Sequence, residues 1–286
     1  MPPHERSTAA RREALRGHLA MLVFVLLISG SFTFGGIIAP QIDPAALNAG
    51  RFVIATALMA VIITVTGNWR TRAGHSPWRL AGLWRYAVLG GLMGAYFVLM
   101  FEALRLTDPV SAGAVFTLTP LISAGFGYLL MRQISPPLVL ASLVLAGAGA
   151  IWVIFRGDID AILRFDAGPG EMLFFVGCVC HATYTPMVPR LNRGEPVILF
   201  TFGTLVGGML LVGAYGWPAI VATDWAGLPP VVYAGMAYVY LLPAFVSIQE
   251  GLLGHGWPAP RVLPGIAAII AALLILLSRD VPANGR

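Results

Sequence analysis

A chain of 286 residues that is 58% hydrophobic and only 11% charged is not a water-soluble domain. Ordinary soluble domains carry roughly a quarter charged residues, and a surface this apolar would expose large adhesive patches, so the reading is an integral membrane protein. The net charge of +5 comes from arginine alone, with no lysine in the sequence. Those arginines sit at the ends of apolar runs, which is topology information rather than a nucleic-acid signal. Cys178 and Cys180 lie two apart in an apolar run. On a helix they point to different sides, which argues against a disulfide or a metal pair.

In chain order, residues 1–17 are polar and carry Arg6, Arg11, Arg12 and Arg16, which predicts a cytoplasmic N-terminal segment. The apolar run 18–39 is too long for the h-region of a cleaved signal, so it predicts a first transmembrane helix. A tight turn at 40–44 leads to a second helix at 45–66 with Arg51 inside it. A basic loop at 68–85, with Arg70, Arg72, Arg79 and Arg85, precedes a third helix at 86–106. Polar breaks at Leu106-Thr107-Asp108-Pro109 and at Arg132 to Pro137 bound a fourth span at 109–131 and open a fifth at 138–155. Each of these runs is long enough to cross a bilayer. A mixed-charge linker follows at 157–169. Beyond it come helices at 170–189 and 196–215, separated by a short basic loop at 190–195. A Trp-containing interfacial loop is predicted at 217–228, one span at 229–253, a last helix at 258–278 and a cytoplasmic tail at 279–286. The division is therefore a first repeat over 18–156 and a second over 170–278.

With the N-terminus inside, most arginines fall on the inner side, and only Arg51, Arg105, Arg156, Arg164 and Arg261 do not. The stretch 241–278 also repeats 118–155 without a gap. It places Pro243 on Pro120, Leu253 on Leu130 and Pro260 on Pro137. An odd number of spans per half inverts the second copy. The expected architecture is an all-α membrane protein of two inverted five-helix repeats, ten transmembrane helices in all. The second copy is short at one place. Tyr240 aligns with Met93 from one side, yet Leu241 aligns with Leu118 from the other. Roughly two dozen residues are thus expected to be missing between Tyr240 and Leu241, leaving about nine spans as the sequence stands. The alternative is a native chain of that smaller span number.

The order and spacing of these features resemble the drug/metabolite transporter superfamily, and within it the ten-helix EamA-type exporters. Ile28-Ser29-Gly30-Ser31-Phe32 is similar to the Trp-Gly-Ser-x-Phe opening of that family. Arg51-Phe52, Ala103-Leu104, Pro120 and His181-Ala182-x-Tyr184 fall at family-like places. Met131-Arg132 and Gly254-His255 stand where the family commonly has Gly-Glu. The resemblance implies a basket of helices around a central cavity that moves small organic solutes out of the cytoplasm by alternating access. Neutral or aromatic amino acids are the favoured cargo. Multidrug or cationic-compound transport and sugar or nucleotide-sugar transport are the alternatives within the superfamily, and a membrane-embedded enzyme is the weaker one. Expected with it are the inner membrane of a bacterium, a small-molecule substrate, the lipid bilayer as surroundings, a monomer, and no cofactor, metal or nucleic acid.

Polar groups inside spans are the candidate site residues, because they are costly in hydrocarbon. His181 and Tyr184 share a face of the sixth helix, Ser29 and Thr33 form an i,i+4 pair on the first, and Tyr96 sits mid-way along the third. These five are the expected substrate-binding residues. Each has a plainer alternative. Ser29 and Thr33 can bond back to their own helix, His181 can be satisfied by a neighbouring carbonyl, and Tyr96 can be core. Arg51 is expected to pair with Glu102 as a structural ion pair, because a buried unpaired charge is costly. Pro120, Pro186 and Pro243 can break helices and free carbonyls, with simple kinks as the equal alternative.

Overall fold

The structure, a computed structural model, describes residues 26–66, 80–164 and 166–240. Expectations for residues 1–17, for Arg70, Arg72 and Arg79, and for everything after Tyr240 lie outside the described residues. The last group holds Pro243, Pro260, the helix at 258–278, the tail and the Tyr240–Leu241 junction.

Every regular element among the described residues is a helix. In order they are α1 (Leu26–Ile38), α2 (Pro44–Thr66), α3 (Leu80–Ala103), α4 (Pro109–Phe116), α5 (Thr119–Met131), α6 (Pro137–Ile154), α7 (Ile159–Arg164), α8 (Pro169–Leu191) and α9 (Val197–Ala222), then α10 (230–240). Six stretches are long and apolar enough to span a bilayer. They are Pro44–Val65, Gly82–Ala103, Pro109–Met131, Pro137–Ile154, Pro169–Leu191 and Val197–Ala222.

The helix starts follow from local chemistry. At α2, Asp43 Oδ1 accepts from Ala45 N at 2.8 Å, with Pro44 at the first helical position. At α4, Asp108 Oδ1 accepts from Val110 N and Ser111 N, each at 2.9 Å, and Pro109 follows it. An Asp cap satisfies amide donors that the first turn leaves without partners, and proline there gives up no bond. The backbone bonds from Ser111 and Val110 hold the Asp108 carboxyl below its ordinary range.

Several boundaries differ from those expected. The third helix begins at Leu80, so Arg85 is helical rather than part of a basic loop. Its charge is satisfied locally. It donates to Gly82 O at 3.1 Å, to Leu191 O at the end of α8 at 2.6 Å, and to Glu195 Oε1 at 2.7 Å. The expected linker contains the short helix α7. Arg190 belongs to α8. The seventh predicted helix runs past Pro218, because apolar Ala219-Ile220-Val221 continues the lipid-compatible run to Ala222. The fourth span is two helices. Pro120 has no N–H to give the Phe116 carbonyl, and the chain turns at Thr117-Leu118 before α5 resumes.

α3 lies at the centre, packed on α8 and α9, while α2 also packs on α9 and α5 on α8. The α3–α9 crossing is backbone on backbone. A Cβ at Gly90 would come within 2.6 Å of Thr204 O, and one at Gly207 within 2.7 Å of the Tyr86 carbonyl carbon. Gly203 faces the Tyr86 ring in the same way, at 2.7 Å. Small residues allow this approach, in which dispersion between close backbones replaces a hydrophobic drive that lipid does not supply. α10 is stitched across the bundle by two tyrosines. Tyr238 donates to Leu27 O at 2.7 Å, and Tyr240 to Leu47 O at 2.8 Å.

Gly90→Val should lower the thermal midpoint of the detergent-solubilised protein by about 5 °C through overpacking. Gly213→Ala, where an added Cβ meets nothing within 4 Å, should leave the midpoint unchanged. Scanning fluorimetry of the two variants checks this. Glu195 gives a second test. Its burial pushes its carboxyl up, but hydrogen bonds from Arg85 and from the Arg193 N–H outweigh burial and hold it below the ordinary value. The stability it contributes is therefore complete above the unfolded value of about 4.3 and is lost as pH falls through the lower folded value. Glu195→Gln should cost about 3 kcal/mol at pH 7 by stranding Arg85. The gap from the parent should close on acidification below about pH 4.

Candidate functional site

A cavity of about 810 Å³ lies among α1, α2, α3, α5 and α8. It is lined on α1 by Ile28, Ser31 and Phe32, on α2 by Arg51, and on α3 by Met93, Tyr96, Phe97 and Met100. Phe116 and the α5 residues Thr119, Pro120, Ser123, Ala124, Gly127 and Met131 form the next wall, and His181, Thr185, Pro186 and Pro189 of α8 the last. The 93, 96, 97, 100 spacing on α3 is one helical face. The cavity continues to Gln133 and Ser135 at the α5–α6 turn.

Aromatic rings make most of its inner end. Tyr96 lies 4.7 Å from the His181 ring, 4.9 Å from Phe97, 6.2 Å from Phe116 and 6.0 Å from Phe174. Phe32 meets Phe116 at 5.7 Å. These separations are those at which rings attract through offset and edge contacts. The Arg51 guanidinium lies over the Phe97 ring, with Cζ 3.7 Å from its centroid.

The polar groups in this wall are under-used. Arg51 is 8% exposed, and its Nη1 is buried without a hydrogen-bond partner. Thr119 Oγ1 and His181 Nδ1 are in the same condition. Three buried polar atoms around one cavity without partners among the described residues are uncommon, since buried polar groups are nearly always paired. In contrast, the proline-freed carbonyl of α8 is used. Pro186 cannot donate to Ala182 O, and Ser123 Oγ of α5 donates to that oxygen instead, at 3.0 Å.

Of the five residues expected to bind substrate, Tyr96 and His181 line the cavity. Ser29 and Thr33 do not. Both are exposed, and Thr33 Oγ1 donates to Ser29 O at 3.3 Å along its own helix. The cavity face of α1 is instead Ile28, Ser31 and Phe32, offset from the Ser29/Thr33 pair. Tyr184 contacts the His181 ring at 6.4 Å but packs with the cluster of Tyr86, Leu89 and Phe200 beside the cavity. The expected Arg51–Glu102 pair is corrected. Glu102 is bridged by Arg105 at 3.2 Å near the surface, one turn along its own helix. Arg51 lines the cavity with its guanidinium over Phe97, and no ion pair joins it to Glu102. Ser31, Thr119 and Ser123 were missed. The mid-span position of Arg51 was a usable signal, but pairing it with an acid hid its place in the wall.

Residues 15–155 match the EamA-like transporter family. A curated protein of Bacillus subtilis (strain 168), described as the uncharacterized transporter YyaM, is 25% identical over 243 residues, 84% of this chain and 75% of its own. One solved structure, described only as a crystal structure of a protein, aligns with a TM-score of 0.49 at 22% identity, covering 96% of this chain and 99% of that one. A multi-pass helical bundle around an internal cavity, with the family match and the curated relative, points to a membrane transporter of small solutes. The family match over residues 15–155 and the curated relative both point to the drug/metabolite transporter superfamily.

His181→Ala should lower transport about tenfold or more while the protein still reaches the membrane, since it removes a cavity group. Ser29→Ala should leave transport within about twofold. Flux into proteoliposomes, normalised to inserted protein, separates the two.

Proposed function

We propose that the protein exports small organic solutes, neutral and aromatic amino acids above all, by alternating access around the cavity between α1, α2, α3, α5 and α8. The observation that carries this reading is the composition of the wall. Phe32, Tyr96, Phe97 and Phe116 offer ring faces, and Arg51, Thr119 and His181 offer unpartnered polar atoms beside them. A ligand pocket of this kind is mostly apolar, with few polar groups that fix orientation. A volume of about 810 Å³ is ample for an amino acid.

The proposed architecture is the ten-helix, inverted-repeat one, with the site where the two five-helix halves meet. The cavity reaches Gln133 and Ser135, at the end of the bundle where Arg132 and Arg190 sit. The bias of arginine to the cytoplasmic side makes that end the loading side. The match to EamA-like transporters over residues 15–155 supports the transport chemistry, and the one charged side chain in the described wall, Arg51, favours an anionic head group over a cationic one. The expected location is a bacterial inner membrane with the N-terminus in the cytoplasm.

Proteoliposomes loaded with radiolabelled phenylalanine, tyrosine, leucine or glucose test the reading. Efflux of the aromatic amino acids at least about tenfold above empty vesicles, with glucose at background, is the expected result. Equal movement of glucose and amino acids would remove the substrate assignment.

A further inference from the structure

We infer that Arg51 is the anion-binding group of this cavity and that the cargo is held by a carboxylate on the Arg51 guanidinium, with its apolar body among the rings of Phe32, Tyr96 and Phe116. The inference rests on the transport reading above and gives it a substrate head group. It also reassigns Arg51 from a structural ion pair to a binding residue.

Three observations converge on it. First, Arg51 is 8% exposed, yet among the described residues no carboxylate pairs with it and Nη1 has no hydrogen-bond partner. An arginine does not lose its charge by deprotonation in a protein, so the buried cation has to be compensated by something else. Second, the guanidinium lies over the Phe97 ring, with Cζ 3.7 Å from its centroid. That contact attracts the cation through one face and leaves the N–H fork at its edge, the part that matches a carboxylate. Third, Arg51 is the only charged side chain in the described wall, and no Asp or Glu lines it. One fixed positive charge suits a single negative charge. A cationic solute meets repulsion there, and a phosphate dianion meets half the charge it calls for.

The neighbouring groups agree with this assignment. Thr119 Oγ1 and His181 Nδ1 line the same cavity without hydrogen-bond partners among the described residues and can serve the head group or its remaining polar atoms. The rings supply contact area that is tolerant of shape, which suits an aryl or branched body.

The test uses the full chain in lipid nanodiscs and three probes that share one body and differ only in the head. These are 3-phenylpropionate, its neutral amide and the cationic 3-phenylpropylamine. Calorimetric titration against empty nanodiscs should show the carboxylate binding at least ten- to hundredfold tighter than either relative, the loss expected when a charge-assisted pair is removed. Arg51→Gln should shrink that preference to below about threefold. Amide or amine binding as tightly as the carboxylate, no saturable carboxylate binding, or an unchanged preference in Arg51→Gln would each overturn the assignment. If Arg51→Gln does not fold, the comparison of heads on the unaltered protein decides alone. Flux of the same three compounds in proteoliposomes separates this inference from the transport reading. A carboxylate that binds but does not cross leaves the Arg51 site standing and removes transport. Compounds that cross without regard to head group leave transport standing and remove the Arg51 site.

Discussion

The contact on which the rest of the bundle depends is the bare glycine face of α9. Gly207 lies against the Tyr86 backbone of α3, and Gly208 leaves room for the Phe52 ring of α2 at a place where a Cβ would come within 2.8 Å of it. Both neighbours of α9 are therefore drawn in together. Phe52 meets Phe97 of α3 edge-on at 6.3 Å, and Phe97 is the ring beneath the preceding residue, Arg51. The position of the one charged group in the cavity wall thus follows from glycines on a helix that does not itself line the cavity. In hydrocarbon, where association has little hydrophobic drive, such close packing is what holds helices in a particular register.

Two buried arginines show how the same residue serves different ends. Arg85 is fully occupied. It bridges Glu195, closes the carbonyl at the end of α8 and bonds within its own helix, so α3, α8 and the turn before α9 are fastened at one end of the bundle. Arg51 is nearly as buried, but among the described residues its guanidinium lies over Phe97 and its Nη1 has no hydrogen-bond partner. Leaving a charge unpaired is costly, and structures retain such cost chiefly where a ligand relieves it. The two arginines therefore differ in their partners rather than in their burial.

Proline does a third kind of work. Pro120 divides what would be one long span into α4 and α5, and Pro186 frees a carbonyl of α8 that Ser123 of α5 takes up. Irregular backbone is tolerated at membrane depth where it lines a cavity or is satisfied by a neighbour. Here both conditions hold at once, since Pro120, Ser123 and Pro186 all belong to the cavity wall.

Much of this was legible in the sequence alone. Composition and the length of the apolar runs set the class, because a backbone in lipid must satisfy itself and few structures do so. The polar breaks ending at Pro44 and Pro109 marked the starts of spans, and Pro120 marked a broken helix, since these are local effects of one or two residues, whereas Pro186 lies inside the unbroken α8 and only frees a carbonyl. His181 and Tyr96 were identifiable as polar or amphipathic groups too costly to place idly in a span. What the sequence could not decide was which way each face turned. Ser29 and Thr33 form as good a polar pair as any on α1, yet the rotation of that helix presents Ser31 and Phe32 to the cavity instead. Arg51 and Glu102 were natural partners on charge grounds. The choice between that pair and a guanidinium lying on Phe97 belonged to the packing of α2, α3 and α9. Helical periodicity states which residues share a face, but the direction of that face is set by non-local contacts, and those exist only once the helices have met.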